Sequence, residues 1–277
     1  MRFRFRCSAA LPLLMSLSCS APFALFAQDV LPTAKVLVIS REFTKPGKDG
    51  TPHQMVEGAY PRALAAGKIP NHYYALVSLS GPPRALFFHG YSSFADMAAA
   101  NRSATSDSTL SATLDRTTAA DSDLLSSKDY SVWVKRDDLS LDPGFRVGAH
   151  YEEISQFFVR PGHYKEWEEL VKMVIDGYKK GVPGAHWGTY EQAYGTSGAS
   201  FLVITTIKSA TELDAEEAQG KQFEEAMGTD GMKKMEELES ACVESRQTNL
   251  FFIDPKMSYP PEDFVKADPD FWTPSKK

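Results

Sequence analysis

The apolar and polar positions of this chain fall into short strand-like runs separated by amphipathic stretches, and the pattern occurs twice. Residues 35–44 and 150–159 are rich in β-branched and aromatic residues, and each run is halted by Pro-Gly, at Pro46-Gly47 and Pro161-Gly162, as a strand ending in a turn would be. In the second half, Tyr164, Trp167, Leu170, Val171, Val174, Ile175 and Tyr178 recur at three- and four-residue spacing and predict a helix with one apolar stripe, ending near Gly181 and Pro183. The matching stretch of the first half holds Met55, Val56, Ala59, Tyr60, Ala63 and Leu64 but is interrupted by Pro61, so a kinked or shorter helix is expected. Two strands follow in each half, 72–79 with 84–91 and 186–194 with 199–207, parted by Gly81-Pro82-Pro83 and by Gly195-Thr-Ser-Gly198. A second helix is predicted from Ser93 and from Ser209, where Ser209-Ala-Thr-Glu212 reads as a capping box. A last strand is predicted at 130–134 and at 249–253.

The two series can be laid over each other. Ile39, Ser40, Phe43, Pro46 and Gly47 recur as Ile154, Ser155, Phe158, Pro161 and Gly162, and the match continues through His72 and His186, Gly81 and Gly195, and Phe87 and Phe201 to Leu139-Ser140 and Met257-Ser258, at a spacing of 114 to 118 residues. Strand, helix, strand, strand, helix, strand is the split βαβ order, so an α+β chain of two tandem ferredoxin-like βαββαβ units is expected, residues 28–145 and 146–258. Helices cover one face of such a sheet, and the two bare faces are expected to meet. The polar, low-complexity stretch from Asn101 to Ser127 is expected to be exposed or partly irregular. The tail, 259–277, carries Pro260, Pro261, Pro269 and Pro274 and reads as an extended strap or a disordered end.

The start of the chain adds a compartment. Arg2, Arg4 and Arg6, an apolar run from Ala9 to Leu17, and small residues up to Ala27 have the layout of a secretory signal peptide, residues 1–27. Pro12, Ser16, Ser18, Ser20 and Pro22 interrupt the run, which argues against a membrane span. Cys19 lacks the leucine expected three residues before a lipoprotein cysteine. A periplasmic or extracellular location is therefore expected. Without that segment, 250 residues remain, with 27 basic against 36 acidic residues and a single cysteine, Cys242. A charge near −9 makes nucleic acid or an anionic membrane a poor partner, and Cys242 reads as a small packed side chain.

The stretch Tyr151-Glu-Glu-Ile-Ser-Gln-Phe-Phe-Val-Arg-Pro-Gly162, with the aromatic helix and hairpin behind it, resembles the dimeric α/β-barrel superfamily, including NIPSNAP proteins and antibiotic-biosynthesis monooxygenases. The resemblance covers both halves. It implies antiparallel sheets packed as an intrachain pseudo-dimeric α/β barrel, and relatives that either oxidise aromatic substrates without a cofactor or bind haem. By that analogy an axial haem ligand would be one of His72, His89, His163 or His186, although the distinctive haem motifs are missing.

Candidate chemistry gathers on few positions. His72 and His186 are equivalent in the repeat, stand at the start of a strand, and can exchange a proton near neutral pH, so they are the candidate catalytic pair. Their structural reading is a helix-to-strand turn. Tyr74, Tyr190, Trp187 and Phe158 are the candidate aromatic lining, and Arg41 and Gln156, polar residues among apolar neighbours in the first strands, are the candidate ligand-binding polar groups. Which face of those strands looks into a pocket is left open. His150 with Glu152 and Glu153 reads as a solvated strand end, and no metal motif is found, so no metal and no cofactor are expected. Three functions follow: an exported small-molecule-binding protein or cofactor-independent monooxygenase-like enzyme acting on an aromatic or apolar ligand, a non-catalytic structural or interaction module of the cell envelope, or, by the analogy above, a haem-binding protein. A monomer or a homodimer fits each.

Overall fold

A computed structural model describes residues 30–106, 108–195 and 198–273 and shows a mixed α+β chain wound into a closed eight-stranded barrel. The signal-like segment 1–27, with Cys7, Cys19 and Ala27, lies outside the described residues. In chain order the elements are β1 (Val30–Leu31), β2 (Val36–Thr44), α1 (Thr51–Glu57), α2 (Ala59–Ala66), β3 (Tyr73–Ser78), β4 (Arg84–Tyr91), α3 (Phe94–Ser106), α4 (Ser108–Ser122) and β5 (Leu125–Lys135). They continue with β6 (Phe145–Arg146), β7 (Tyr151–Val159), α5 (Tyr164–Gly181), β8 (Gly188–Tyr194), β9 (Ala199–Ile207), α6 (Ala210–Leu213), α7 (Glu216–Cys242), β10 (Val243–Tyr259), α8 (Glu262–Ala267) and α9 (Pro269–Trp272).

Around the barrel the order is β10, β3, β4, β2, β5, β8, β9, β7 and back to β10, and every neighbouring pair is antiparallel. The strands of the first half run β5-β2-β4-β3 and those of the second β10-β7-β9-β8, the same last-first-third-second order. The halves therefore meet edge to edge, through β5 with β8 and β10 with β3, and closure leaves no unpaired barrel edge.

Strand alternation sorts the side chains. Leu37, Ile39, Leu76, Leu86, Phe88, Trp133, Ile154, Leu202, Phe251 and Ile253 fill the barrel interior. The α5 stripe packs on the outside, where Trp167, Leu170, Val171 and Ile175 meet Val159, Phe201 and the buried free thiol Cys242. The outer face of β3 and β4 is covered by α2 and α4, through Leu64, Phe87 and Leu110. Among the described residues no helix is long and apolar enough to cross a membrane.

Several local expectations are corrected. The first-half helix breaks at Gly58 rather than at Pro61, which occupies the first turn of α2, where a missing N–H costs little. The stretch after Asn101 is largely helical, with most of its described side chains exposed or half-buried as expected, and β5 starts at Leu125, earlier than the predicted residue 130. Capping also differs: Ser93 Oγ accepts the Asp96 N–H at 3.1 Å, whereas Ser209 makes no side-chain cap and Glu212 instead accepts the Lys208 N–H at 3.2 Å. The tail is neither a strap nor irregular as far as Thr273. It folds into α8 and α9, and Phe264, Val265, Phe271 and Trp272 join Leu31 and Phe145 to stopper one end of the barrel. Burying Trp272 and half-burying Phe264, Val265 and Phe271 offsets part of the entropy of ordering the segment.

Candidate functional site

With one end stoppered, the interior opens only towards the other, and there the lining changes from apolar to polar. A cavity of about 190 Å³ has Ile39, Phe88 and Ile154 among its apolar lining and Arg41, Arg84, Gln156, Gln247 and Asn249 as its polar groups. Arg41, on β2, is locked to Asp129 on β5 by a two-pronged ion pair, Nε to Oδ1 at 2.6 Å and Nη2 to Oδ2 at 2.9 Å. Those residues face each other in the β2–β5 register, so the barrel itself sets the pair.

Arg84 is different. It is 8 % exposed, its Nη1 donates to the Pro82 carbonyl at 2.9 Å, and its guanidinium lies 4.9 Å from the centre of the Phe251 ring. Among the described residues no carboxylate lies within ion-pair distance of it. Burial, and then the like charge of Arg41, lowers its pKa. Two guanidiniums thus share one carboxylate, and the cavity keeps one surplus positive charge in a chain whose overall charge is −6. Gln156 is fixed by donating from Nε2 to Ser200 Oγ at 3.0 Å.

The turn before β4 is built for this closeness. Gly81 has φ +72°, and a Cβ there would stand 2.6 Å from Asn249 Oδ1 and 3.1 Å from Arg84 Nη1. Gly81→Ala is expected to cost about 1–3 kcal/mol, combining left-handed strain with that clash. Urea denaturation of the two proteins measures it, and an unchanged midpoint would contradict the close approach.

Deeper in the barrel, towards the stopper, Glu152 is fully buried and accepts the Tyr74 hydroxyl at 3.0 Å through Oε1, while Oε2 has no partner. Burial pushes this carboxyl up to about 8, against the Tyr74 hydrogen bond that lowers it. Glu152 was expected at a solvated strand end; the inward alternation of β7 puts it in the core instead.

The residues singled out from the sequence divide. Arg41 and Gln156 reach the cavity. Tyr74 and Tyr190 point into the barrel but pack below it, with the Tyr190 hydroxyl donating to the Ala34 carbonyl at 3.0 Å. Trp187 lies outside the barrel against Tyr178, its Nε1 donating to the Leu139 carbonyl at 3.2 Å. Phe158 is half-buried further along β7 and does not line the cavity. The two histidines stay equivalent but remain in the turns before β3 and β8. His72 stacks on Tyr259 at 4.6 Å, and His186 presents Nδ1 to the Gly184 carbonyl and Nε2 to the Thr206 carbonyl, both at 3.0 Å. Neither lines the cavity, because the loops they belong to stand at the stoppered end. Arg84 and Asn249 were not singled out: one opens a strand and the other sits in a polar-to-apolar transition, positions that ordinarily read as surface.

The residues present do not fit haem. None of His72, His89, His163 and His186 lines the cavity, and its volume of about 190 Å³ has room for a compact molecule but not for a tetrapyrrole. His89 tilts on Tyr73 at 4.8 Å, and His163 faces Glu166 at the start of α5.

No protein-family model matches the sequence, and no curated protein matches it. Solved structures do. An anthrone oxidase-like protein matches with TM-score 0.52 and 16% identity over 79% of this chain and 92% of its own. A candidate monooxygenase from Fusobacterium nucleatum matches with TM-score 0.51 and 9% identity over 80% and 94%. The chlorite dismutase of Candidatus Nitrospira defluvii, solved with imidazole, matches with TM-score 0.46 and 10% identity over 84% and 95%. The two matches above a TM-score of 0.5 speak for a shared fold and not for chemistry.

Proposed function

We propose that this chain binds a small organic anion, a carboxylate with a compact apolar or aromatic body, in the open end of its barrel. The observation that carries the reading is Arg84, a buried guanidinium without a carboxylate partner, aimed with Arg41, Gln156 and Asn249 at a cavity with an apolar floor. A buried charge left unpaired is expensive, and a ligand carboxylate would supply the missing partner through charge-assisted hydrogen bonds. The ligand expected from the sequence was aromatic or apolar; the charge of the cavity adds an acidic group, and its size asks for a compact molecule. The reading favours ligand binding over a purely structural module, which would need no such surplus charge.

Two sequence expectations belong with it. The shared strand order of the halves supports descent from one duplicated ferredoxin-like unit, NIPSNAP-like or monooxygenase-like, and the layout of residues 1–27 supports export. The names of the neighbouring structures motivate a catalytic extension, oxygenation of the bound anion.

Benzoate and its neutral counterpart benzamide separate the readings. Trp133 lines the cavity, and its indole Nε1–H, donating to Ser131 Oγ at 2.8 Å, reports on occupancy by NMR. Benzoate should shift that resonance saturably, with benzamide at least about tenfold weaker; equal responses, or none, would overturn the proposal. Dioxygen uptake during the titration tests the catalytic extension.

A further inference from the structure

A second constellation lies on the outer face of the barrel and plays no part in the cavity. Alternation along β2 turns Glu42 outward, beneath α1 and α4. His53 and Glu57 stand one turn apart on α1 and so share a face, and Asp121 sits in the last turn of α4. All four are at most 4 % exposed, and one ligand atom from each lies within 4.8 Å of the others. His53 Nε2 is 3.0 Å from Glu42 Oε2 and 3.4 Å from Asp121 Oδ1. Lys128, opposite Glu42 in the β2–β5 register, pairs with the other Glu42 oxygen, Oε1. Among the described residues Glu57 Oε1 is buried without a hydrogen-bond partner.

Charge makes the arrangement hard to explain as plain packing. With His53 neutral, three buried carboxylates face one lysine, which leaves two negative charges uncompensated. Two protons, one of them on His53, can neutralise them. One divalent cation would do the same alone, with His53 neutral and Lys128 still on Glu42 Oε1. Distances agree: donors about 2.0–2.2 Å from a tetrahedral ion stand roughly 3.4 Å apart, close to the His53 contacts already present. We propose that Glu42 Oε2, His53, Glu57 and Asp121 form a binding site for a divalent transition-metal ion. One imidazole with three carboxylates suits Zn²⁺ or Mn²⁺ better than Ca²⁺ or Cu⁺. No short motif joins these four residues, which come from three separated segments, and a metal site was therefore not expected from the sequence.

The test uses the full chain, stripped with a chelator and titrated with Zn²⁺, then with Co²⁺ as a visible-absorption probe. One ion per chain is expected, with cobalt bands of a low-symmetry nitrogen–oxygen site. Glu57→Gln should weaken Zn²⁺ binding at least about 100-fold while folding at least as stably without metal, since it removes an unpaired buried acid. Asp121→Asn should weaken it similarly, and Arg84→Gln should bind Zn²⁺ as the unaltered chain does. No stoichiometric binding in the unaltered chain, or undiminished binding by both Glu57→Gln and Asp121→Asn, would overturn the site.

Discussion

Glu152→Gln should stabilise the folded chain by on the order of 3–5 kcal/mol at about pH 8–9 and change it little near pH 4. Glu152 is fully buried, and its carboxyl titrates at about 8 against an ordinary value of 4.5. Between those values the folded chain holds a proton that the unfolded chain has released. Unfolding therefore sheds a proton, and stability falls as pH rises, by about 1.4 kcal/mol per unit at most. Below about pH 4 both states are protonated, and above 8 both are ionised, so the loss is confined to that window. Glutamine keeps the shape and the acceptor for the Tyr74 hydroxyl, and it cannot ionise. Its amide N–H₂ replaces an oxygen that already lacks a partner, so the swap adds little new unsatisfied polarity. Urea denaturation of both proteins at pH 4 and pH 8.5 measures the effect; a difference independent of pH would mean that Glu152 is not protonated in the folded state. Tyr74→Phe should extend the window upward, because the Tyr74 hydrogen bond lowers the Glu152 pKa.

Arg84→Gln should weaken benzoate binding by about 10- to 100-fold while leaving benzamide nearly unaffected. The asymmetry is the point of the prediction. Arg41 is already neutralised by Asp129, whereas among the described residues the charge of Arg84 is met by the Pro82 carbonyl and the faces of Phe251 and Phe43. Glutamine retains hydrogen bonding and removes the charge, so a loss confined to the anion identifies charge as the cause. The same change should leave stability unaltered or slightly raised, since it relieves a buried cation beside a like charge. An equal loss for both probes would point to a damaged cavity instead.

Much of the architecture was legible because it rests on periodicity. The α5 stripe from Tyr164 to Tyr178 packs as one face, and two successive sets of strand, helix, strand, strand, helix, strand order the barrel. What escaped depends on where chains meet. Arg41 and Gln156 stood out as polar residues in apolar strands, but strand alternation alone offers two faces, and only barrel closure selects the inner one. Arg84 opens a strand, where arginine ordinarily meets solvent; the Gly81 turn folds it back beside Asn249. The paired histidines stand in the turns just before β3 and β8, and their matching positions do not bring either into the cavity. Tyr74 and Tyr190 took the inward side, yet α8 and α9 stopper that end, a contribution that a proline-rich tail conceals.

Whether an unmet charge makes this cavity an anion receptor is tested most directly by a crystal structure of the chain grown with saturating benzoate. The carboxylate should lie within hydrogen-bond distance of the Arg84 guanidinium, with the ring against Ile39 and Phe88. Benzoate found elsewhere, for instance in the charged groove between α5 and α7, with nothing but solvent beside Arg84, would contradict the account.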